Sequence, residues 1–335
     1  ATDPAVLEAV AATAQAWGKQ PVHARSTPGF IVNRVARPYY AEALRLLGEQ
    51  AASAATLDAI MVDAGGFRMG PFALMDLIGH DVNFAVTRSV FEAYYGDPRF
   101  TPSVIQQELV DAGYLGRKSG RGFYDYDDDG TAAVKPEVAL EGAQKRPETV
   151  NISISIESES DGVHGAVTDA LEKRLRAAGY EVGHRHPLPG AAHEAPAFHC
   201  AGAAIFLTDG RSATERAAAN RHPNTVLYDL FGENATRIAL ARADQCSNAA
   251  YHATVGLLQA AGLNVTRIDD VPGMAVMRTV AMLANEAADA VNQGVCSAAA
   301  VDLAMRRGVN YPHGPLAWAN AIGVAHVATV LANLA

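Results

Sequence analysis

The sequence predicts a mixed fold in which an all-α unit, an α/β domain and a second all-α unit follow one another along 335 residues. Three observations lead to this prediction. Apolar residues recur with helical spacing from Gly29 to about Phe91. Short apolar runs then alternate with helical patterns over residues 150–265, which is typical of a sheet built from strand–helix–strand units. The helical pattern returns at Val271 and continues to the C-terminus.

A helix is predicted at the start of the chain, over residues 3–17. Asp3 is a favoured N-cap residue, Pro4 suits the first helical position, and Gly18 can end the helix. The segment that follows, QPVHAR at residues 20–25, is a candidate for a short strand.

The first all-α unit is predicted over roughly residues 28–125. Its first helix places five apolar side chains on one stripe, namely Ile31, Val35, Ala41, Leu44 and Leu47. Pro38 lacks a backbone N–H, so it should kink this helix and free the carbonyl of Arg34. Later helices are predicted to begin near Ser53, Pro71, Asp81 and Pro102. A glycine-rich loop, YLGRKSGRGFYDYDDDG, ends the unit.

Residues 131–149 mix proline, glycine and charge, which predicts a linker. After this linker, strands and helices alternate. The predicted strands are VNISISI, YEVGHRH, AGAAIFLTD, NTVLYDLF and TRIALAR, with helices over 161–179, from about Ser212, and over 247–261. This alternation predicts a parallel, doubly wound sheet.

An internal repeat relates the two helical units. An offset of 244 residues aligns them without a gap, and Gly18 falls opposite Gly262 upstream. Matching positions include Pro28 with Pro272, Arg34 with Arg278, Glu42 with Glu286, Asp58 with Asp302, and Pro71 with Pro315. The register predicts a duplication. An α/β domain precedes the helices in the second copy only, so we expect the chain to be part of a longer protein with the order α/β, α, α/β, α.

Charge and cysteine content exclude several functional classes. A net charge of −9 argues against a binder of nucleic-acid phosphates. No uninterrupted apolar run approaches the ~18 residues of a membrane span. Three separated cysteines without a CxxC pattern indicate free thiols in a reducing cytoplasm: Cys200, Cys246 and Cys296. Four irregularly spaced histidines do not predict a metal site: His184, His186, His193 and His199.

Three segments carry a family resemblance: STPGFIVNRVARPYYAEALRLL, GGFRMGPFALMDLIG and GYLGRKSGRGFYDY. Together they resemble the C-terminal domain of L-3-hydroxyacyl-CoA dehydrogenases, and the tandem layout is similar to bacterial forms in phenylacetate or fatty-acid β-oxidation. The resemblance implies five parts: residues 1–27, the remnant of an N-terminal NAD domain; 28–130, an all-α dehydrogenase C-terminal domain; 131–149, the linker; 150–268, a degenerate Rossmann-like α/β domain; and 269–335, a second all-α domain.

The resemblance also implies a reaction, the oxidation of a 3-hydroxyacyl-CoA to the 3-ketoacyl-CoA by hydride transfer to NAD. In that family the histidine base, its glutamate partner and the glycine-rich cofactor loop lie in the N-terminal NAD domain. This sequence contains neither the HFFNP-like segment nor that loop. We therefore expect the NAD site in a domain outside this chain, and no turnover by the chain alone.

The resemblance assigns a catalytic and substrate-binding role to Asn33. A side-chain amide can donate to the substrate oxygen and accept from a neighbouring imidazole. The second copy has Met277 at this position, which can do neither, so we expect that copy to be catalytically silent. Met69, Pro71 and Leu74 match the family's wall along the acyl chain; the alternative is an ordinary core at a helix start.

Two further segments have some features of a cofactor loop. GRKSGRG lacks the order GxxxxGK[ST] of a phosphate-binding loop, and we predict that it packs against the NAD domain, with a contact to a CoA phosphate as the alternative. SDGVHG has Ser160 where a dinucleotide fingerprint has its first glycine. No cofactor site is therefore predicted in residues 150–265.

We accordingly expect the C-terminal portion of an NAD-dependent 3-hydroxyacyl-CoA dehydrogenase, which supplies the substrate-side wall and an assembly surface. The alternative is a non-catalytic acyl-CoA-binding or scaffolding module. The expected partner is an acyl-CoA, without nucleic acid or membrane. We expect the two α domains to form a pseudo-dimer, or the chain to form a homodimer, in the cytoplasm.

Overall fold

A computed structural model describes residues 2–134, 136–147, 152–155, 164–185 and 196–335. The N-terminal part is helical, with α1 (Pro4–Ala16), α2 (Val32–Val35), α3 (Arg37–Gly48), α4 (Ala54–Asp63), α5 (Pro71–Ile78), α6 (His80–Ala93) and α7 (Val104–Asp111). The C-terminal part is helical too, with α11 (Val276–Asn292), α12 (Ala298–Gly308), α13 (Pro315–Ile322) and α14 (Val324–Leu334).

The α/β part lies between them. It comprises β1 (Ile152–Ser155), α8 (His164–Ala177), β2 (Val182–Arg185), β3 (Phe198–Cys200), β4 (Ala203–Leu207), α9 (Ala213–Asn220), β5 (Thr225–Tyr228), β6 (Arg237–Arg242), α10 (Asn248–Ala260) and β7 (Asn264–Arg267). Strands β4 and β5 are buried along their whole length, and their side chains belong to a hydrophobic core that also includes side chains of both helical parts.

The first helix, α1, forms at the predicted residues, and the Asp3 carboxylate accepts the Ala5 N–H at 2.9 Å. None of its residues is buried. The strand predicted at residues 20–25 is wrong, because no described strand lies beside this segment to supply ladder hydrogen bonds. Instead, the Arg25 N–H donates to the carbonyl of Val295 at 2.8 Å.

The predicted kink at Pro38 is confirmed. The helix is divided at Ala36 into α2 and α3, whereas α11 is continuous and has Met282 at the corresponding position. The division follows from the proline ring, which cannot donate an intrahelical hydrogen bond and crowds the preceding turn. It makes α2 a short, separate turn of helix that carries Asn33.

The glycine-rich loop packs around one buried carboxylate, that of Asp76. Four groups contact this carboxylate within 3.0 Å: the N–H groups of Phe123 and Tyr124, the hydroxyl of Tyr126 and Nε2 of His80. A Cβ atom at Gly116 or Gly122 would lie 2.2 Å from an oxygen of Asp76. The glycines therefore allow close packing inside the helical unit. Packing of this loop against an NAD domain stays a prediction.

The larger sheet is mixed, so the prediction of a parallel, doubly wound sheet is wrong. Its order is β3-β4-β5-β6-β7. Strands β4 and β5 are parallel, as are β6 and β7, because α9 and α10 connect them as crossovers. Strand β6 runs antiparallel to β5, with Tyr228 opposite Leu240. Residues 229–236 join these two strands, and a parallel connection needs about a dozen residues or more.

Strands β1 and β2 form a separate parallel pair. The segment predicted to be a failed dinucleotide loop, SDGVHG, begins at Ser160 and lies mostly outside the described residues, as do His186 and His193 of the histidine cluster. His199 is described, and its ring lies 5.9 Å from that of His222. In the described residues, no group of three His, Cys, Asp or Glu side chains could hold a metal ion.

The segment predicted as a linker lies along the α/β part over residues 136–147. The Glu141 N–H donates to the carbonyl of Val265 in β7 at 2.8 Å, and the Tyr251 hydroxyl donates to the Glu141 carboxylate at 2.9 Å. The Ala139 N–H donates to the hydroxyl of Thr56 at 3.0 Å. The segment thus connects the first helical part to the edge of the sheet.

The two helical parts repeat each other at an offset of 244 residues. Helices α5 and α13 begin at Pro71 and Pro315, and both follow a glycine N-cap. Among the described helices, none alone is long and apolar enough to cross a membrane; α13 and α14 would qualify only together, and they bend by 100° at the break between them.

Candidate active site

Asn33 lies on α2 with an exposed side chain, while its neighbours Arg34 and Val35 are buried. No described residue hydrogen-bonds to its amide. The corresponding Met277 is completely buried in α11. Asn33 therefore presents an unused donor and acceptor to the surface, whereas the second helical part has a core methionine at this position.

A tight turn leads into α2. Gly29 and Phe30 both adopt positive φ angles, 76° and 47°, and the Phe30 N–H donates to the Thr27 carbonyl at 3.0 Å. A Cβ at Gly29 would lie 3.0 Å from the backbone nitrogen of Arg34. The turn thus needs a glycine, both for the left-handed conformation and for close approach to the helix.

The residue after Asn33 anchors α2 to α11. Arg34 is fully buried, and its Nε donates to Glu286 at 2.5 Å. Its Nη1 donates to Gln293 at 2.9 Å and its Nη2 to Asp289 at 2.7 Å. These contacts position the short helix, and so hold Asn33 at the surface.

A second set of contacts mirrors the first. Arg278 on α11 donates from Nε to Glu42 on α3 at 2.8 Å, and to Glu49 at 2.7 and 2.9 Å. Arg34 therefore pairs with Glu286, which is the counterpart of Glu42 at the 244-residue offset. Glu42 in turn pairs with Arg278, the counterpart of Arg34. Burial raises the pKa of Glu286, although its guanidinium neighbours act in the opposite direction. Sequence reasoning matched these four residues in the repeat and expected the two α domains to pack together, but it did not predict these ion pairs.

Two of the three predicted wall residues, Met69 and Leu74, lie together in a cleft of about 270 Å³. The other lining residues are Tyr39, Phe67, Arg68, Leu77, Val309, Asn310 and Tyr311. Pro71 is buried and starts α5 behind this surface. Asn33 is not among the lining residues. The cleft is formed by both helical parts, a feature that the sequence did not predict.

At the corresponding positions of the second helical part, aromatic side chains lie close together. Trp318 stands at the position of Leu74, and its ring lies 5.6 Å from Phe67 and 5.0 Å from His313, the counterpart of Met69. The rings of Phe67 and Tyr311, which are counterparts of each other, meet edge to face at 5.1 Å. Aromatic rings therefore stand in the second helical part where the cleft has Met69 and Leu74.

Asp58 holds the start of α5, which carries Leu74. Its carboxylate accepts the N–H groups of Phe72 and Ala73, both at 2.9 Å, and the Tyr124 hydroxyl at 2.8 Å. Burial raises the pKa of Asp58 to about 6, against the lowering effect of these hydrogen bonds. Asp302 makes the same two backbone contacts at the start of α13.

Asp229 joins the sheet to the C-terminal helices. This fully buried carboxylate follows β5 and accepts the N–H groups of Ala275, Val276 and Met277 at 2.7–2.9 Å. It also accepts the Leu230 N–H at 2.8 Å. Burial raises its pKa to about 6, although the four N–H donors favour the ionised form. Asp229 therefore caps the N-terminus of α11 from outside the helix, a role the sequence did not reveal.

Sequence comparison identifies the helical parts. The family model for the C-terminal domain of 3-hydroxyacyl-CoA dehydrogenase matches residues 29–126 and 273–335. The model for the reduced Rossmann-fold domain of 3-hydroxybutyryl-CoA dehydrogenase matches residues 205–272. The chain is 40% identical over 334 residues to a 3-hydroxyadipyl-CoA dehydrogenase of Escherichia coli strain K12. The chain belongs to the 3-hydroxyacyl-CoA dehydrogenase family. The resemblance found in the sequence is thereby confirmed.

The match to the Escherichia coli protein covers 100% of this chain and 61% of the relative, so the chain spans about three fifths of that protein's length. A crystal structure of 3-hydroxybutyryl-CoA dehydrogenase from the same species superposes with a TM-score of 0.81 at 40% identity, over 99% of this chain and 61% of that one. The human mitochondrial hydroxyacyl-coenzyme A dehydrogenase is 38% identical over 125 residues, 37% of this chain and 40% of its own length. The predicted mixed fold, with an all-α domain and a Rossmann-like domain, is confirmed in that form.

Proposed function

We propose that this chain is the C-terminal portion of an NAD-dependent 3-hydroxyacyl-CoA dehydrogenase and that Asn33 contacts the reacting oxygen of the substrate. The observation that carries the proposal is the exposed amide of Asn33, which has no hydrogen-bond partner among the described residues and lies on a helix that contacts of Arg34 hold in place. Residues within the matched family domain surround it on both sides.

Asn33 would stabilise the oxygen at C3 as the hydroxyl becomes a carbonyl. Its N–H₂ group can donate to that oxygen, while its carbonyl can accept from the imidazole that removes the hydroxyl proton. NAD supplies the hydride acceptor when bound. Met69 and Leu74 give an apolar surface suited to an acyl chain, and Pro71 fixes the start of α5, which carries Leu74.

The NAD site, in this proposal, belongs to an α/β domain that packs on α1. Helix α1 corresponds to α10 at the 244-residue offset, but their environments differ. Leu7 is 43% and Val10 62% exposed, whereas their counterparts Tyr251 and Thr254 are 1% and 0% exposed. The face of α10 is buried on the sheet, whereas the corresponding apolar face of α1 is exposed. This difference supports the proposal that a sheet packs on α1 and residues 20–25 in the longer protein.

We further propose that the two helical parts arose by duplication, that residues 269–335 are a second all-α domain, and that the two form a pseudo-dimer. The reciprocal pairs Arg34–Glu286 and Arg278–Glu42 support this arrangement, because a two-fold interface contains each contact twice, with the two parts exchanged. In this arrangement Met277 makes the second copy a scaffold.

The reaction we propose lies in fatty-acid or phenylacetate-type β-oxidation in the cytoplasm. The named substrates of the relatives differ in acyl chain: one is a 3-hydroxyadipyl-CoA dehydrogenase and another a 3-hydroxybutyryl-CoA dehydrogenase. A non-catalytic acyl-CoA-binding or scaffolding module is the alternative, which an amide without base or cofactor in the same chain also fits.

Oxidation of NADH by acetoacetyl-CoA, followed at 340 nm, tests the proposal. The 335-residue chain alone should cause no loss of absorbance. The same chain joined at Thr2 to the NAD-binding portion of the Escherichia coli relative should cause a steady loss. Turnover by the chain alone would contradict the separate NAD domain. A correctly folded fusion that binds NADH and acyl-CoA without turnover would favour the non-catalytic module.

A further inference from the structure

A second cavity, of about 210 Å³, lies beside α3 and is lined by three arginine side chains. Arg37 and Arg45 belong to α3, and Arg99 lies in the segment before α7. Apolar side chains make up much of the remaining wall, namely Ala41, Leu44, Phe100 and Pro102. The cavity thus combines a high density of positive charge with surface suited to a hydrocarbon chain.

Arg37 differs from the other two arginines because it has no counterion among the described residues. It is only 5% exposed, donates from Nη1 to the Thr87 hydroxyl at 3.1 Å and lies 4.8 Å from the Tyr40 ring centre. In the described part of the chain, no carboxylate pairs with it, and its buried Nε has no hydrogen-bond partner. The other two have acidic partners: Glu42 for Arg45, and Asp97, Glu286 and Asp289 for Arg99.

A buried cation without a counterion is unfavourable to the folded state. A buried charge is retained only when another group compensates for its lost hydration. Burial accordingly lowers the pKa of Arg37 below its ordinary value. One hydrogen bond and one aromatic contact leave most of its five N–H donors without a partner among the described residues, and a bound anion would supply the missing acceptors.

We propose that this cavity binds the carboxylate at the end of a short aliphatic chain, with Arg37 as its principal partner. A planar guanidinium can donate two parallel hydrogen bonds to a carboxylate. The adjacent apolar wall favours a carboxylate attached to methylene groups over inorganic phosphate, because phosphate has no apolar surface that could contact this wall.

The position of Arg37 indicates the source of this carboxylate. Arg37 follows Asn33 by four residues, and Ala36 between them keeps a right-handed helical conformation. Helix α3 begins at Arg37, directly after the break at Ala36, and Ala41 and Leu44 of α3 line the cavity together with Arg37. An acyl chain that ran from Asn33 into this cavity, instead of into the cleft of Met69 and Leu74, would place a C6 carboxylate, three bonds beyond C3, near Arg37. This part of the inference rests on the proposed function and makes the substrate a dicarboxylic acyl-CoA.

Calorimetric titration of the 335-residue chain with hexanoate, hexanamide and inorganic phosphate tests the site itself. Hexanoate should bind at least about tenfold more tightly than either neutral hexanamide or phosphate, and Arg37→Met should remove this preference. Arg307→Met, which removes an exposed arginine outside the cavity, should keep it. Equal binding of hexanoate and hexanamide, or tighter binding of phosphate, would overturn the proposal.

A stability measurement separates a ligand site from a structural role. Without ligand, Arg37→Met should unfold at the same or a higher urea concentration than the unmodified chain, because an uncompensated charge is replaced by an apolar group of similar length. If Arg37 were structural, the variant would unfold at clearly lower urea, and that result would contradict the inference.

Titration with adipyl-CoA and with hexanoyl-CoA tests whether the bound carboxylate belongs to an acyl chain, because the two compounds differ by the terminal carboxylate. Adipyl-CoA should bind about tenfold more tightly, and Arg37→Met should equalise the two. Equal binding by the unmodified chain would overturn the acyl-chain assignment, even if hexanoate binds. Neither titration requires hydride transfer, so a failure here is distinguishable from a failure of the NADH assay.

Discussion

Replacement of Arg34 by methionine should strongly destabilise the packing of α2 and α3 against α11. Arg34 is fully buried, and its partner Glu286 is 2% exposed. Loss of the guanidinium leaves a buried carboxylate whose remaining cation, Arg99, lies 3.1 Å away and is itself partly exposed. Removal of one member of a buried pair costs about 3–5 kcal/mol. Asp289 is 24% exposed and keeps Arg99 as a partner, so it adds little.

The equivalent ion pair, Arg278 with Glu42, provides an internal comparison. Arg278→Met also removes a guanidinium from a buried glutamate, but Glu42 keeps Arg45 and the second partner, Glu49, is 39% exposed. Its cost should therefore be smaller, about 1–3 kcal/mol. The exposed pair of Arg88 with Glu92 is the control, and Arg88→Met should cost under about 0.5 kcal/mol.

Equilibrium unfolding in urea, followed by tryptophan fluorescence, measures these differences. Trp318 lies in the contact between the helical parts, while Trp17 is 75% exposed, so a Trp17→Phe background isolates the relevant signal. The double variant Arg34→Met with Glu286→Leu should lose less free energy of unfolding than the sum of the single variants, by about 2 kcal/mol or more. Additive losses, or a loss below about 1 kcal/mol for Arg34→Met, would refute the reasoning.

Two further predictions concern the carboxylates of the first helical part. Gly122→Ala should lower the free energy of unfolding by about 2–4 kcal/mol, since its Cβ would meet Asp76 at 2.2 Å; Gly142→Ala, with open space around it, is the control in the same urea titration. The pKa of Asp58 rises from 3.8 to about 6 on folding, so its protonation stabilises the fold at low pH. Relative to Asp58→Asn, the unmodified chain should lose about 2 kcal/mol between pH 4 and pH 7. A flat difference would contradict the raised pKa, and Asp128→Asn controls for net charge.

Local signals in the sequence predicted the helices well. Asp3, Ser53 and Ser212 cap helices with their side chains, and Pro71 and Pro315 stand at first helical positions. Each of these residues acts within one turn of its own position, so its effect does not depend on the rest of the chain.

The same kind of signal did not predict strand direction, nor that residues 20–25 do not form a strand. The antiparallel pairing of β5 and β6 depends on the short connection over residues 229–236, and the sequence pattern of the strands themselves is the same for either direction. Residues 20–25 have strand composition, but a strand forms only beside another strand. Strands β3 and β7 are short and were not predicted.

Of the site residues, only those within the motifs that carry the family resemblance were predictable. Asn33, Met69 and Leu74 were found from their motifs, whereas the partners of Arg34 lie more than 250 residues away in the chain. No sequence spacing relates such pairs. Among the described residues, the lack of a counterion at Arg37 is likewise a property of the fold, because the fold decides which acidic side chains lie near it.

The most direct test of the account is the effect of Asn33→Ala on kcat in the fusion with the NAD-binding portion of the Escherichia coli relative. If Asn33 holds the reacting oxygen, kcat for acetoacetyl-CoA reduction should fall about 10²–10³-fold with little change in KM. The matched variant Met277→Asn, at the corresponding position of the second copy, should not change kcat in a folded protein. A loss of less than about threefold for Asn33→Ala would contradict the central claim.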